Sequence, residues 1–229
     1  MNRTFKIKKL NASLLRALKV ASFILFAPVA FATQINLNLS SELKEKVEND
    51  LSFLENIVSA HTSPLHESIF GKVDGLSYKK WLEDRVSVIS LDLNVPCENK
   101  STTTECISDE TGGAPKPLKI SHSFYETNIP QVARASVLFH QARHLETNGT
   151  ESYPHVACPI PFALGQQCDQ NAQGAYAIQS IFLMNLSKNC ADQSCNSKTR
   201  ADASIYADQF RMRVINPSDR KAMKDDSTL

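Results

Sequence analysis

The sequence predicts an α+β fold in which helix dominates: a single domain stapled by disulfides. Three observations lead there. Several segments repeat apolar residues at helical spacing, only one short stretch alternates as a strand would, and six cysteines punctuate the chain. Residues 41–60 place Leu43, Val47, Leu51, Leu54 and Val58 on one helical face, with Ser40 or Ser41 as cap and Glu42 in the first turn. Residues 77–91 repeat the pattern with Tyr78, Trp81, Leu82, Arg85 and Ile89, capped by Ser77. Residues 94–117 hold two cysteines, a Ser/Thr cluster, Gly112-Gly113, Pro115 and Pro117, which reads as a disulfide-tied loop. Residues 118–124 read as a short strand, with Leu118 and Ile120 on one side. A helix follows from Pro130, with Val132, Ala135, Leu138, Ala142 and Leu145 as its buried stripe and Asn148-Gly149 as its stop. Two more helices are expected near 174–186 and 200–214, and a charged, flexible tail over 217–229.

The first 32 residues read as a secretory signal peptide. Arg3, Lys6, Lys8, Lys9, Arg16 and Lys19 form a basic leader, residues 20–29 an apolar core, and Ala30-Phe31-Ala32 a small-x-small cleavage site. The apolar run is short for a span of about 20 residues, so no stable membrane insertion is expected after cleavage. An uncleaved N-terminal anchor is the rival reading. The leader takes six of the 25 basic residues and none of the 24 acidic ones, leaving 33–229 with a net charge of −5. That balance argues against nucleic acid as partner and suits a periplasmic or secreted protein.

An even number of cysteines in an exported chain points to disulfides. Sequence order suggests three local pairs, Cys97–Cys106, Cys158–Cys168 and Cys190–Cys195, among the roughly 15 connectivities that six cysteines allow. A thiolate metal site is the alternative, disfavoured because no Cys-x-x-Cys pair occurs.

The stretch Val137-Leu138-Phe139-His140-Gln141-Ala142-Arg143-His144 is the most informative. Histidines four apart share one helical face, so both imidazoles can bind one metal ion. The spacing is that of the zinc-protease motif H-E-x-x-H, with Gln141 where the glutamate belongs. A catalytic zinc takes three protein ligands. His155, beyond the Asn148-Gly149 stop and three residues before Cys158, is the expected third. Asp169 is an alternative, with Glu146, Glu151 and His122 behind it. His66-Glu67 starts like the motif but lacks its second histidine. Arg143 lies between the ligands in sequence and is expected to pair with a carboxylate rather than to bind substrate.

These residues resemble a group of small exported bacterial zincin-like proteins. Their helix reads H-E-A-R-H, and His-x-x-Cys, Cys-Asp and Gly-Ala-Tyr follow it. The counterparts here are His155-Val156-Ala157-Cys158, Cys168-Asp169 and Gly174-Ala175-Tyr176. The likeness spans about residues 118–186 and is poor over 33–117. It implies a zincin-like domain over 33–216, with zinc on His140, His144 and His155. It also implies a catalytic glutamate, which this chain lacks. Glutamine is nearly isosteric with glutamate but has no basic site at neutral pH, so metal binding is expected to survive while hydrolysis falls. Glu151 is the better substitute base, because Glu146 lies two residues past His144 and so on another face.

The expected function is thus an exported zinc-binding protein, a catalytically impaired metallopeptidase relative with a peptide or protein ligand. The alternatives are a secreted binding protein on the same scaffold, without hydrolytic activity, and a metal-free disulfide-stapled helical domain.

Overall fold

The computed structural model describes residues 35–59, 63–72, 75–91, 115–120, 128–148, 151–159 and 167–226. The chain divides into two units between Ala32 and Thr33, and all of these residues lie in the second. In chain order they form β1 (Asn36–Asn38), α1 (Ser41–Glu55), α2 (Pro64–Phe70), α3 (Gly75–Glu83), β2 (Val86–Leu91), β3 (Lys116–Ile120) and α4 (Gln131–His144). There follow β4 (Thr147–Asn148), β5 (Glu151–Ser152), β6 (Val156–Ala157), β7 (Gln167–Cys168), α5 (Ala175–Asn189), α6 (Ser197–Arg211) and α7 (Pro217–Asp226). Helix dominates, as expected. The first three strands make a parallel sheet in the order β1-β2-β3, with Ile89 opposite both Leu37 and Leu118. The pairs β4–β5 and β6–β7 are antiparallel.

Helix α5 sits at the centre, packed between α4 and α6. Ala175 to Leu183 are all buried, as are Asn185 and Leu186, the pattern of a helix covered on every side. Behind the motif helix, Phe139 packs on Phe182 (ring centroids 4.6 Å) and Phe70 (5.2 Å), and Tyr78 stands edge-on to Phe182 (5.0 Å). Such pairs contribute about 0.5–1.5 kcal/mol each beyond their buried area.

Helix α1 buries Leu43, Val47, Asp50 and Leu54. One of these four is charged. Asp50 accepts hydrogen bonds from Nη2 (2.7 Å) and Nε (3.1 Å) of Arg134, the two-pronged geometry that suits a carboxylate. This pair fastens α4 to α1. Burial nevertheless raises the Asp50 carboxyl to about 6, against the pull of Arg134.

Four sequence expectations change. Residues 77–91 are half helix and half strand: α3 ends at Glu83 and the β-branched run Val86-Ser87-Val88-Ile89 enters the sheet. The motif helix ends at His144, and Asn148, expected to help stop it, pairs with Glu151 across β4–β5 instead. The dipeptide Asn148-Gly149 is equally a hairpin signal. Residues 217–226, expected as tail, form α7, which buries Met223 completely. Its Asp219 Oδ2 accepts the Ala172 N–H and its Asp226 Oδ1 the Leu65 N–H, so the acidic residues that suggested a frayed end are its fastenings. Helix α2 is an addition, capped by Ser63, whose hydroxyl accepts from His66 N–H. The proposed strand 118–124 begins earlier, at Lys116; 121–127, most of the 94–117 loop, Cys97 and Cys106 lie outside the described residues.

Candidate metal centre

Helix α4 carries His140 and His144 one turn apart, as the four-residue spacing requires. Their Nε2 atoms are 3.1 Å from each other. His155, between β5 and β6, brings its own Nε2 to 3.0 Å from His144 and 3.2 Å from His140. Three imidazole nitrogens thus converge on one point, and the group could hold a metal ion.

The partners on the far side of each ring decide what those nitrogens present. His144 Nδ1 lies 2.9 Å from the Tyr153 carbonyl, which only accepts, so Nδ1 carries the proton and Nε2 a lone pair. His155 Nδ1 donates in the same way to Asp169 Oδ1 at 2.9 Å. Two bare nitrogens 3.0 Å apart repel unless a proton or a cation lies between them. On His140 and His144 a proton is disfavoured. Burial, aided by the neighbouring imidazoles, holds His140 well below the ordinary histidine range, and burial followed by His155 lowers His144 to about 3. Neutral imidazoles with lone pairs turned to one point are what a metal requires, and carboxylate or carbonyl partners on the opposite nitrogens are its usual supports.

His140 has a different kind of neighbour. Gln179 on α5 lies beside it. The Gln179 amide nitrogen donates to Ser136 Oγ at 2.8 Å, and Ser136 donates to the Ala133 carbonyl, leaving Oε1 as the amide's acceptor. Oε1 and His140 Nδ1 are both buried, and both stop short of a formed bond.

The loop bearing His155 is tied at its base. Val156 pairs with Cys168 across β6–β7, and Cys158 and Cys168 form a disulfide with Cα atoms 5.0 Å apart. The next residue, Asp169, is almost wholly buried and locked by its backbone: its N–H donates to Arg213 O, and its carbonyl accepts from Ile215 N–H. Its second carboxylate oxygen accepts the Ala177 N–H at 2.9 Å in the first turn of α5. Gly174 makes room for this, because a Cβ there would lie 2.2 Å from the Asp169 carboxyl carbon. Tyr176 then stacks on His155 (4.5 Å, 23°) and meets His140 edge-on, while Arg213 donates to its hydroxyl. Cys-Asp and Gly-Ala-Tyr are therefore one device: staple, ring orienter, clearance and packing surface.

The other candidates are dispersed. Asp169 stands behind His155, on its Nδ1. Glu146 is held between Arg85 and Arg143, so Arg143 has its carboxylate partner. Its guanidinium also lies 3.6 Å over the Tyr153 ring. Gln141 is buried. Glu151 lies in β5, with its side chain outside the described residues, as is all of His122. His66 is buried elsewhere, 2.7 Å from the Tyr78 hydroxyl. Cys190–Cys195 forms as expected. Sequence reading passed over Gln179, Ser136 and Tyr153. Gln179 left a signal: it is a polar residue in the most apolar of the described helices, and buried polar groups need partners.

Two disulfides indicate an oxidising compartment. Among the described residues no helix is long and apolar enough to cross a membrane. No family model, curated protein or solved structure matches the chain significantly.

Proposed function

We propose that this chain is an exported zinc-binding protein of zincin-like design, a metallopeptidase relative impaired by the loss of its proton acceptor. The observation that carries this reading is the convergence of three imidazole Nε2 atoms within 3.0, 3.1 and 3.2 Å of one another. Nitrogens bound to a tetrahedral zinc at about 2.0–2.1 Å sit about 3.3 Å apart, so the triangle fits that ion with little adjustment. Three protein ligands leave a coordination position open, the arrangement of catalytic rather than structural zinc. The leader sequence and the disulfides support export to the periplasm or beyond.

Zinc held there would supply Lewis acidity to a water and a substrate carbonyl. The chain must supply the proton acceptor. Gln141 occupies the position for it, and its amide can hydrogen-bond but not take a proton at neutral pH. General-base assistance is worth about 10²–10⁴-fold, so hydrolysis falls by that order. Glu146 cannot stand in, because two guanidinium groups already hold its carboxylate; Glu151 remains the substitute. A binding protein for peptides on the same scaffold is the second reading, and Gln141 itself favours it.

The test has two parts. Elemental analysis of purified protein should find about one zinc per chain, lost in His140→Ala and His144→Ala; equal, substoichiometric zinc in all three proteins would end the metal reading. A peptide-library digest with zinc-loaded protein should show little cleavage by wild type and at least about 10²-fold more by Gln141→Glu. Cleavage by wild type that Glu151→Gln abolishes would relocate the base. Bound zinc with no cleavage by either protein would select the binding-protein reading.

A further inference from the structure

A cleft of about 600 Å³ opens between α2, the end of α3 and the end of α4. Arg85 and Arg143 line it, each guanidinium flat against an aromatic wall: Arg85 lies 3.7 Å over Trp81 and Arg143 3.6 Å over Tyr153. Stacking immobilises the planar groups and leaves their edges for hydrogen bonds. One carboxylate, Glu146, serves both, so one positive charge stays uncompensated within the pair. Arg143 uses Nε on the Gln173 carbonyl and Nη1 on Glu146; its Nη2 has no partner among the described residues. Both side chains are mostly buried, 22% exposed for Arg85 and 15% for Arg143, which strengthens any charge they meet. Leu65 and Ile69 add an apolar wall.

We propose that this cleft is a carboxylate-binding site that takes the acid group of a peptide, with Arg143 as the donor and Arg85, whose nitrogens already serve Glu146 and the Trp81 carbonyl, as a second positive charge. The apolar wall receives the flanking side chain. The acid is either a chain terminus or an aspartate or glutamate side chain, since a guanidinium edge recognises both. The site is separate from the metal centre. Tyr153 turns its carbonyl to His144 Nδ1 and its ring to Arg143, and none of the three histidines lines the cleft. Tyr153 joins the cleft to the Nδ1 side of His144, away from its converging Nε2, so the proposal does not depend on metal. Asp219, which holds the Ala172 N–H, is the one opposing charge among the lining residues.

Trp81 is the only tryptophan of the chain, so its fluorescence reports occupancy. Three probes are titrated: acetyl-Ala-Ala-Leu as free acid, the same peptide as amide, and acetyl-Ala-Asp-Leu amide. One or both acidic peptides should bind at least about tenfold more tightly than the neutral amide, as a charge-assisted hydrogen bond dictates. Preference for the first identifies a chain terminus, preference for the third a side chain. Arg143→Gln should weaken acid binding about tenfold or more. Asp219→Asn keeps an acceptor for the Ala172 N–H but removes the charge, and should tighten binding severalfold. That variant carries the test if Arg143→Gln does not fold. Zinc-loaded and chelator-treated protein should bind alike, so failure of the metal reading leaves this result intact. Equal binding of acids and amide, no binding at millimolar peptide, or indifference to Asp219→Asn would overturn the proposal.

Discussion

At the scale of single residues, Asp169 does the most. One oxygen holds the His155 ring in the tautomer that bares Nε2, and the other fills an orphan N–H at the start of α5. On the proposed zinc reading, Asp169→Ala is therefore expected to lower zinc affinity about 10–100-fold, through loss of the ring's support. Loss of the helix-end hydrogen bond should cost about 1 kcal/mol of stability as well. Gly174 makes the same prediction from the opposite side. Its absent Cβ is the space the Asp169 carboxyl occupies, so Gly174→Ala should displace that group and lower zinc affinity to a similar degree. Competition with a chromogenic chelator measures both variants. Wild-type affinity in Gly174→Ala would show that the clearance does not position the carboxylate.

Among the elements, the two described disulfides close short loops, with sequence separations of 10 and 5, and so stabilise to similar extents, about 2–3 kcal/mol each in the chain-entropy model. Their places differ. Cys158–Cys168 ties the strand pair that carries His155 and abuts Asp169; Cys190–Cys195 ends α5 and leads into α6. Replacing both cysteines of a pair by serine should lower urea stability comparably in the two cases. Only the Cys158/Cys168 variant should also lose zinc affinity. Equal loss of affinity in both would mean that the disulfides act through global stability alone. Helix α7 is the second element with a clear test. Met223 is wholly buried against Ala177, Ile181 and Val214, so Met223→Ala should cost about 2 kcal/mol or more in urea unfolding. A loss under about 0.5 kcal/mol would restore the picture of a loose tail.

For the whole molecule, buried titratable groups set the pH dependence. His66 is held at about 3 by burial, as is His144, while unfolded histidine titrates near 6.5. Between these values the unfolded chain binds more protons, so stability falls as pH drops below about 6.5. From pH 7 to 5 each of the two removes about 2 kcal/mol, and His140 acts in the same direction. Asp50 opposes them. Its folded value near 6 exceeds the ordinary 3.8, so it takes up a proton first in the folded state and returns about 1 kcal/mol over the same range. The net prediction for zinc-free protein is a marked loss of urea stability from pH 7 to 5. His66→Met, which leaves the metal centre untouched, should flatten that slope by about 2 kcal/mol; an unchanged slope would remove His66 from the account.

The local parts of the site were legible in the sequence because local rules govern them. A four-residue interval places His140 and His144 together on any helix, and the apolar stripe from Val132 to Leu145 specifies that helix. The short pairs Cys158–Cys168 and Cys190–Cys195 were likewise readable from order alone. Where two local rules competed, sequence could not choose: residues 77–91 satisfied a helical period until the β-branched run met the sheet, and Asn148-Gly149 signals a helix stop and a hairpin equally well. Long-range relations lay beyond it. The contact of Asp169 with His155, the place of Gln179 behind His140, the clearance at Gly174 and the capture of Asp219 and Asp226 by distant N–H groups each join residues whose sequence spacing carries no geometric constraint. Only packing brings them together. The motif's histidines were therefore visible before the fold, whereas the tertiary structure alone decided which nitrogens they bare.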